Sequence, residues 1–318
     1  MKTSKVNVLI YRDLPANALA ALEREFPGVN FQVVRPPHLV DEDIAWPEVV
    51  CGNVPATWAA EAPSLRWLQI VSSGIDDYTS LAKSTVVVTT AQGIHASIIA
   101  QHVLMAVLMF ERGQPCFTRA ARDRTWKRKP DVPRRIEGRT LGLLGFGALG
   151  REIARLTAPL GIRIVATKRT SPDVPSTGVD KIYPWDEIET LLGEADHVVL
   201  ALPLTPATRG VLDAARIAQL KPGAFVHNPS RGGLVDENAL HGALLAGHVA
   251  GVALDTFGEE PLPSESPWWS APNAIITPHI AGHHAELGQL VLERFRRNLH
   301  AYLAGGQVSP VANFTRGY

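Results

Sequence analysis

The sequence predicts an α/β protein with two parallel-sheet domains, and three observations support this class. The chain has 318 residues, which suggests two domains of roughly 100–200 residues each. Short apolar runs alternate with helical patterns in the N-terminal third, and a second series of the same kind begins at residue 139. Strands that alternate with helices indicate parallel sheets covered on both faces.

The first series predicts one sheet and the helices that cover it. Its strands are expected at residues 6–11, 31–34, 48–51, 67–71 and 86–89, with a helix at 16–25. Turns marked by Pro and Gly separate these runs. A long, mostly apolar helix is predicted over 94–111. The basic, Pro-rich stretch at 119–135 is expected to hold a short helix and an exposed connection.

The second series predicts another parallel sheet and a final helix. Its strands are expected at residues 140–145, 162–167, 197–202, 224–228, 249–254 and 274–277. Its helices are expected at residues 148–159, 185–192 and 237–246, followed by a long amphipathic helix at 284–303.

Composition restricts the partners and the compartment. The 31 Lys and Arg residues balance the 31 Asp and Glu residues, so the chain has no overall charge that would attract nucleic acid or an anionic membrane. Two cysteines cannot build a disulfide framework. The N-terminus lacks a signal-peptide pattern, and we find no apolar run of about 18 residues that could span a bilayer. These features predict a cytoplasmic enzyme that binds neither nucleic acid nor membrane.

A glycine-rich turn, G-F-G-A-L-G, begins at Gly145 and follows an apolar run. In a strand–turn–helix context, Gly145 permits the tight turn and Gly147 lets a pyrophosphate approach the backbone. Gly150 lets the helix and the strand pack closely, while the helix N-terminus faces the phosphate charge. The turn therefore predicts a dinucleotide site in the middle of the chain, with a plain strand-to-helix turn as the alternative.

The strand after this turn ends in Lys168, Arg169 and Thr170. Chains that bind NAD usually carry an Asp or Glu about 20 residues after the glycines, which holds the ribose 2′-hydroxyl. Two cations and a hydroxyl at this position would instead attract a 2′-phosphate. The segment predicts NADP(H) as the preferred cofactor and leaves NAD(H) open, and an ordinary solvated loop is the alternative interpretation.

Three polar segments in the second half follow predicted strands and carry Arg231, Glu260 and His279. Ligands bind beyond the carboxyl ends of strands in open parallel sheets, so these side chains are expected to converge near the cofactor. Individually, each residue also has an ordinary explanation: a surface ion pair for Arg231, a solvated turn for Glu260 and a loop histidine for His279.

The three residue types suit the reduction of a 2-keto acid. The guanidinium of Arg231 can pair with the substrate carboxylate and draw electron density from the adjacent carbonyl. His279 can donate the proton that the developing alkoxide needs, because imidazole titrates nearest neutral pH. Glu260 can orient the imidazole ring and favour its protonated form.

These segments resemble the D-isomer-specific 2-hydroxyacid dehydrogenase family. The similarity lies in N-P-S-R-G-G-L-V-D-E around Arg231, D-T-F-G-E-E-P-L-P through Glu260 and I-I-T-P-H-I-A-G at His279. The glycine turn and the S-S-G-I-D run that begins at Ser72 fit the family as well, so the resemblance covers nearly the whole chain.

The resemblance implies two Rossmann-like domains, in which a flavodoxin-like substrate domain is interrupted by a central dinucleotide-binding domain. The substrate domain would comprise residues 1–97 and 284–318, and the NADP-binding domain residues 98–283. A homodimer is also implied. The family's reaction would be the reduction of a small 2-keto acid, such as glyoxylate or hydroxypyruvate, to the D-2-hydroxy acid.

The resemblance also implies individual contacts. Backbone N–H groups near Ser73 and Gly74 would receive the substrate carboxylate, and Asp255 would hold the nicotinamide carboxamide. The remaining implied cofactor contacts are Ala148 and Leu149 at the pyrophosphate, Leu202, Pro203 and Ser230 along the cofactor cleft, and Gly282.

Some features depart from the family or stay open. Gln92 and Gln101 stand where Pro and Glu are usual, and Lys168 favours the glyoxylate and hydroxypyruvate reductase branch. A nucleotide-sensing protein like the corepressors of this fold and an NAD-dependent dehydrogenase are the alternative functions. Trp268 and Trp269 either roof the pocket or pack at a contact.

The histidines suggest no metal site. His279 and His283 are four residues apart, but no acidic or cysteine partner is arranged with them, so no metal is predicted. His283 and the adjacent His284 are expected to adjust the charge of the pocket instead.

Overall fold

The computed structural model describes residues 5–39, 44–126, 133–169 and 178–317. The chain divides into two compact units. The first unit consists of Met1–His95 and His284–Tyr318, and the second unit is Ala96–His283. In the described part of the chain, no helix is long and apolar enough to cross a membrane.

The strands occur in two separate sheets. The first sheet contains β1 (Val6–Tyr11), β2 (Val29–Val34), β3 (Val49–Gly52), β4 (Trp67–Gln69) and β5 (Val87–Thr89). The second sheet contains β6 (Thr140–Leu144), β7 (Arg163–Lys168), β8 (Lys181–Pro184), β9 (His197–Leu200), β10 (Ala224–Asn228), β11 (Val249–Leu254) and β12 (Ala274–Ile276).

The helices connect and cover these strands. They are α1 (Ala16–Glu25), α2 (Ala56–Glu61), α3 (Ala96–Glu111), α4 (Gln114–Arg122), α5 (Ala148–Thr157), α6 (Ile188–Glu194), α7 (Ala214–Ala218), α8 (Glu237–Leu245) and α9 (Leu287–Leu303). Short 3-10 helices include Asp76–Lys83 and Pro267–Ser270.

The first unit is a parallel sheet in the order β2-β1-β3-β4-β5, which is the flavodoxin-like order. Both faces of the sheet are buried. Successive residues of β1, such as Leu9 and Ile10, point to opposite faces and belong to different apolar clusters. Helix α9 closes one face, where the ring of Phe295 stacks on Trp67 with centroids 5.4 Å apart.

The second unit is a parallel sheet in the order β12-β11-β10-β9-β6-β7-β8. This is the Rossmann order extended by one strand, and the direction of winding reverses between β6 and β9. Every residue of β6 and of β10 is buried, as expected for strands covered on both faces. Helices α3 and α5 pack together on one face through Val103, Val107 and Ile153.

The structure confirms the predicted α/β class, and a few boundaries differ. The short helix expected within 119–135 is α4, which begins at Gln114 because Gly113 takes a left-handed conformation (φ 70°) and Pro115 starts the first turn. The connection predicted after it lies partly outside the described residues. The last helix begins at Leu287 rather than 284.

Candidate active site

The glycine turn lies between β6 and α5, and each glycine has a different environment. Gly145 has φ 102°, and a Cβ there would lie 2.6 Å from the carbonyl oxygen of Ala201. A Cβ on Gly150 would lie 2.5 Å from the carbonyl oxygen of Gly145. Both positions therefore require glycine. By contrast, no described atom lies within 4 Å of the position that a Cβ on Gly147 would take.

The turn opens at the point where the winding of the second sheet reverses. Gly145 follows β6, and Leu202 and Pro203, which come after the neighbouring strand β9, are half-buried. Ala148 and Leu149 form the first turn of α5 and are also half-buried. Open space above Gly147 beside a helix N-terminus fits the pyrophosphate of a dinucleotide.

Lys168 and Arg169 lie at the carboxyl end of β7, the strand that pairs with β6. Lys168 is the last residue of β7 and is half-buried, while Arg169 is exposed in the bend that follows. Thr167, buried just before them, accepts a hydrogen bond from the N–H of Gly145 (3.1 Å), so the end of β7 is tied to the glycine turn. Thr170, the third residue predicted here, lies outside the described residues.

Arg231 follows β10 in a short segment with a fixed backbone. Asn228 donates from Nδ2 to the carbonyl of Arg231 (2.8 Å) and accepts from the N–H of Ser230 (3.2 Å). The hydroxyl of Ser230 donates to the carbonyl of Leu200 at the end of β9 (2.7 Å). Nη1 of Arg231 donates to the carbonyl of Ser230 (2.8 Å).

Gly232 joins the Arg231 segment to the Glu260 segment, and sequence reasoning did not identify it. A Cβ at this position would lie 1.9 Å from the carbonyl carbon of Phe257 and 2.3 Å from the nitrogen of Gly258. The two backbones can therefore touch only because residue 232 has no side chain. The Gly-Gly pair after Arg231 was the available signal, but only the tertiary contact explains it.

Glu260 and His279 form the histidine–carboxylate pair of the site. Oε2 of Glu260 lies 2.7 Å from Nδ1 of His279, and Oε1 of Glu260 accepts from the N–H of Phe257 (2.9 Å). The carboxylate is thus held at both oxygens. The imidazole is 49% exposed, and no described group hydrogen-bonds its Nε2. Nε2 is consequently available to a ligand.

Asp255 anchors the loop that carries His279. Its Oδ1 accepts from the N–H of Ile280 (2.9 Å) and from the hydroxyl of Thr277 (2.5 Å), and its Oδ2 accepts from the N–H of Ala281 (2.9 Å). Its carbonyl accepts from the N–H of His279 (2.8 Å). His279 has φ 53°, a region that non-glycine residues rarely occupy, and these bonds hold it there.

The remaining predicted residues of the second unit lie around this loop. Gly282 follows Ala281 and is half-buried. Trp268 is buried and packs edge-on against His241 of α8 with centroids 5.0 Å apart, whereas Trp269 is 56% exposed. Trp268 therefore packs in the core of this unit.

Glu237 accepts from the N–H of Gly258 (2.6 Å), and burial raises the pKa of this carboxyl group.

Ser73 and Gly74 lie in the first unit, in the turn after β4. The hydroxyl of Ser73 donates to the carbonyl of Ala91 (3.3 Å), and the N–H of Ala91 donates to the carbonyl of Ser72 (2.9 Å). Among the described residues, no acceptor takes the N–H groups of Ser73 and Gly74. Two adjacent N–H donors without an internal partner can receive a carboxylate.

Comparisons with known proteins identify the family of the chain. The model of the D-isomer specific 2-hydroxyacid dehydrogenase NAD binding domain matches residues 104–281. The (S)-sulfolactate dehydrogenase of Chromohalobacter salexigens is 36% identical over 227 residues, which are 70% of this chain and 72% of that protein.

Solved structures are similar over nearly the full length. A D-isomer specific 2-hydroxyacid dehydrogenase from Xanthobacter autotrophicus Py2, in complex with NADPH and MES, is 30% identical with a TM-score of 0.83 and covers 99% of this chain and 100% of its own. An NADPH-dependent glyoxylate/hydroxypyruvate reductase from Sinorhizobium meliloti, in complex with NADP and sulfate, is 25% identical with a TM-score of 0.85 and the same coverage.

The matched domain contains the glycine turn, the strand reversal and the paired Glu260 and His279. A nicotinamide dinucleotide is therefore the cofactor, and the resemblance inferred from the sequence is confirmed. The chain is an oxidoreductase that belongs to the D-isomer specific 2-hydroxyacid dehydrogenase family.

Proposed function

We propose that the protein reduces a small 2-keto acid to the D-2-hydroxy acid with NADPH. The observation that carries this proposal is the 2.7 Å contact between His279 Nδ1 and Glu260 Oε2, which leaves Nε2 of His279 accessible. An imidazole held by a carboxylate at one nitrogen can transfer a proton at the other. The relatives named as dehydrogenases and as a glyoxylate/hydroxypyruvate reductase support this reaction class.

Each side chain has a separate role in the proposed reaction. In the second unit, Arg231 is the proposed partner of the substrate carboxylate, and its charge would polarise the adjacent carbonyl. In the first unit, the N–H groups of Ser73 and Gly74 are the proposed donors to a carboxylate. A reduced nicotinamide supplies the hydride when it is bound. His279 donates a proton from Nε2 to the carbonyl oxygen as that oxygen gains charge, and Glu260 stabilises the orientation of the ring.

The second unit would bind the dinucleotide, and the first unit would bind the substrate. Gly145, Gly147 and Gly150 shape the pyrophosphate site, and Ala148 and Leu149 contribute N–H groups from the start of α5. Leu202, Pro203, Ser230, Asp255 and Gly282 complete the proposed cofactor contacts. Both oxygens of Asp255 already bind the His279 loop, so a bond to the carboxamide would use their remaining lone pairs.

NADP(H) is the proposed preferred cofactor because Lys168 ends β7 and Arg169 follows it, where NAD-binding chains usually carry an acidic residue. Steady-state kinetics with NADPH and with NADH test this. We expect a higher kcat/KM with NADPH and a reversed preference in the Lys168→Asp/Arg169→Ala double variant. Lys181→Ala, a lysine at the start of the neighbouring β8, is the matched control and should keep the preference. A wild type that strongly prefers NADH would contradict the assignment.

A panel of 2-keto acids that includes glyoxylate and hydroxypyruvate, assayed with NADPH, tests the reaction itself. We expect turnover of at least one of them. Tight NADPH binding with no turnover of any 2-keto acid would instead favour a nucleotide-sensing role.

We also propose a homodimer. Helix α3 leaves Met105 and Leu108 about two-fifths exposed, which is typical of a helix that packs against another chain. Light scattering coupled to size exclusion measures the mass, and a particle of one 34.4 kDa chain would contradict the proposal.

A further inference from the structure

Three basic side chains of the first unit have buried nitrogens that lack partners among the described residues. Arg12 directly follows β1, His284 lies one turn before α9, and Arg294 lies on α9. Among the described residues, no acceptor bonds Nε or Nη1 of Arg12, Nε of Arg294 or Nε2 of His284, although all four atoms are buried. We refer to Arg12, His284 and Arg294 as the cationic cluster.

The first half of helix α9 lies against the carboxyl ends of β1, β4 and β5. Gly288 lies against the end of β1, where Nη2 of Arg12 would be 3.0 Å from a Cβ at position 288. The carbonyl of Val291 accepts from Gln69 at the end of β4 (3.5 Å). Residues 288 and 294 are six positions apart, which is about 9 Å along a helix. Arg12 and Arg294 therefore both lie along the first half of α9.

The described residues provide no carboxylate for these buried nitrogens. Asp13 pairs instead with Arg35 (3.1 Å), and Glu286 contacts only the other ring nitrogen of His284 (3.2 Å). The thiol of Cys51 lies near Arg12, but burial raises its pKa to about 12, so it is not a counter-ion at neutral pH. Burial likewise lowers the pKa of Arg294. A buried cation without an acceptor is costly unless a ligand supplies one.

The cluster is also tied to the turn that carries Ser73 and Gly74. Nη1 of Arg294 donates to the carbonyls of Thr90 (3.4 Å) and Gln92 (3.0 Å). The residue between them, Ala91, bonds the turn through both its N–H and its carbonyl. The side chain of Arg294 and the two unpartnered N–H groups are therefore held by the same loop.

We infer that the cationic cluster binds a second acidic group of the substrate, so that the preferred 2-keto acid carries a carboxylate, sulfonate or phosphate at its far end. This inference rests on the proposed function, because it assumes that the first carboxylate binds at Ser73 and Gly74. A substrate with a neutral tail would leave the buried guanidinium nitrogens of Arg12 without acceptors.

Matched substrate pairs test the inference. Oxaloacetate differs from 2-oxobutyrate, and 2-oxoglutarate from 2-oxovalerate, by a carboxylate in place of the terminal methyl group. We expect kcat/KM with NADPH to be at least about tenfold higher for the acidic member of one pair, as a charge-assisted hydrogen bond allows. The ratio should fall toward one in Arg12→Gln and stay unchanged in Arg35→Gln, an exposed arginine of the same unit.

The outcomes separate this inference from the proposed function. Calorimetric titration with malonate and with acetate measures binding without turnover, and malonate should bind more tightly to the wild type than to Arg12→Gln. If glyoxylate is reduced but neither pair shows a preference for the acidic member, the inference fails alone. Binding of inorganic sulfate without any substrate preference would also overturn it. If no 2-keto acid is reduced but malonate binding depends on Arg12, the anion site stands and the reaction fails.

Discussion

Two histidine–carboxylate pairs in the second unit have similar geometry and opposite surroundings. His279 Nδ1 lies 2.7 Å from Glu260 Oε2, with side chains that are 49% and 34% exposed. His197 Nε2 lies 3.0 Å from Glu111 Oε1, with side chains that are 0% and 1% exposed. The contact distance alone would not distinguish a proton donor from a structural pair.

The two pairs differ in the contacts of the second ring nitrogen of each histidine. The carboxylate of Glu111, which is 3.4 Å from the guanidinium of Arg139, can only accept, so Nε2 of His197 carries a proton. Nδ1 of His197 then accepts from Nε2 of His227 (3.0 Å). Both nitrogens of His197 are engaged inside the protein, whereas no described group hydrogen-bonds Nε2 of His279, whose side chain is 49% exposed. An accessible second nitrogen therefore marks the pair that can act on a substrate.

Replacement of His279 should have the largest effect on activity. His279→Asn suits the positive φ, since Asn tolerates the left-handed region better than most residues. We expect kcat to fall by roughly 10²–10⁴ because the proton donor is lost. NADPH binding and the melting temperature should be retained. His38→Asn, an exposed histidine in the first unit, is the control, and a loss below tenfold in His279→Asn would argue against proton donation.

Replacement of Glu111 should have the largest effect on stability. Glu111→Ala leaves His197 and Arg139 without their buried acceptor, which should lower the free energy of unfolding by about 3–5 kcal/mol. Urea denaturation measures this change. Glu137→Ala, which removes an exposed pair with Arg135, should leave the midpoint nearly unchanged. Equal effects of the two variants would contradict the structural role of the buried pair.

Gly232→Ala should affect stability and activity together. The new methyl group would overlap the Phe257 peptide, so we expect a loss of about 1–3 kcal/mol and a lower kcat as Arg231 and Glu260 move apart. Gly242→Ala in α8 is the control, because no described atom lies within 4 Å of its Cβ position. Its stability should be unchanged or slightly higher. Urea denaturation measures the stability of both variants, and steady-state kinetics measures their kcat.

The smallest expected effect is the change in stability with pH that the buried histidines cause. Burial lowers the pKa of both His197 and His227 below 6.5. The unfolded chain then takes up protons first, so stability is fully present above pH 6.5 and is lost as the pH falls. The slope is at most about 1.4 kcal/mol per pH unit for each histidine. Urea midpoints from pH 8 to pH 5 measure it, and a flat profile would be the contrary result.

Local signals predicted much of the fold and of the site. The glycine turn, the strand ends and the segments around Arg231, Glu260 and His279 are each contiguous in sequence. Strand β8 was not predicted, because it is short, begins with a lysine and ends with a proline. The buried pair of Glu111 and His197, like the cationic cluster, depends on contacts between distant elements, which no local pattern encodes.

The bonds that Asp255 makes have one further consequence. They tie the backbone of the His279 loop to the end of β11, in the same sheet that carries the glycine turn at β6. The part of the enzyme that would deliver the proton and the part that would hold the dinucleotide are thus set by one framework. Under the proposed division of roles, sequence changes in the first unit would alter the choice of acid and leave the proposed proton donor unchanged.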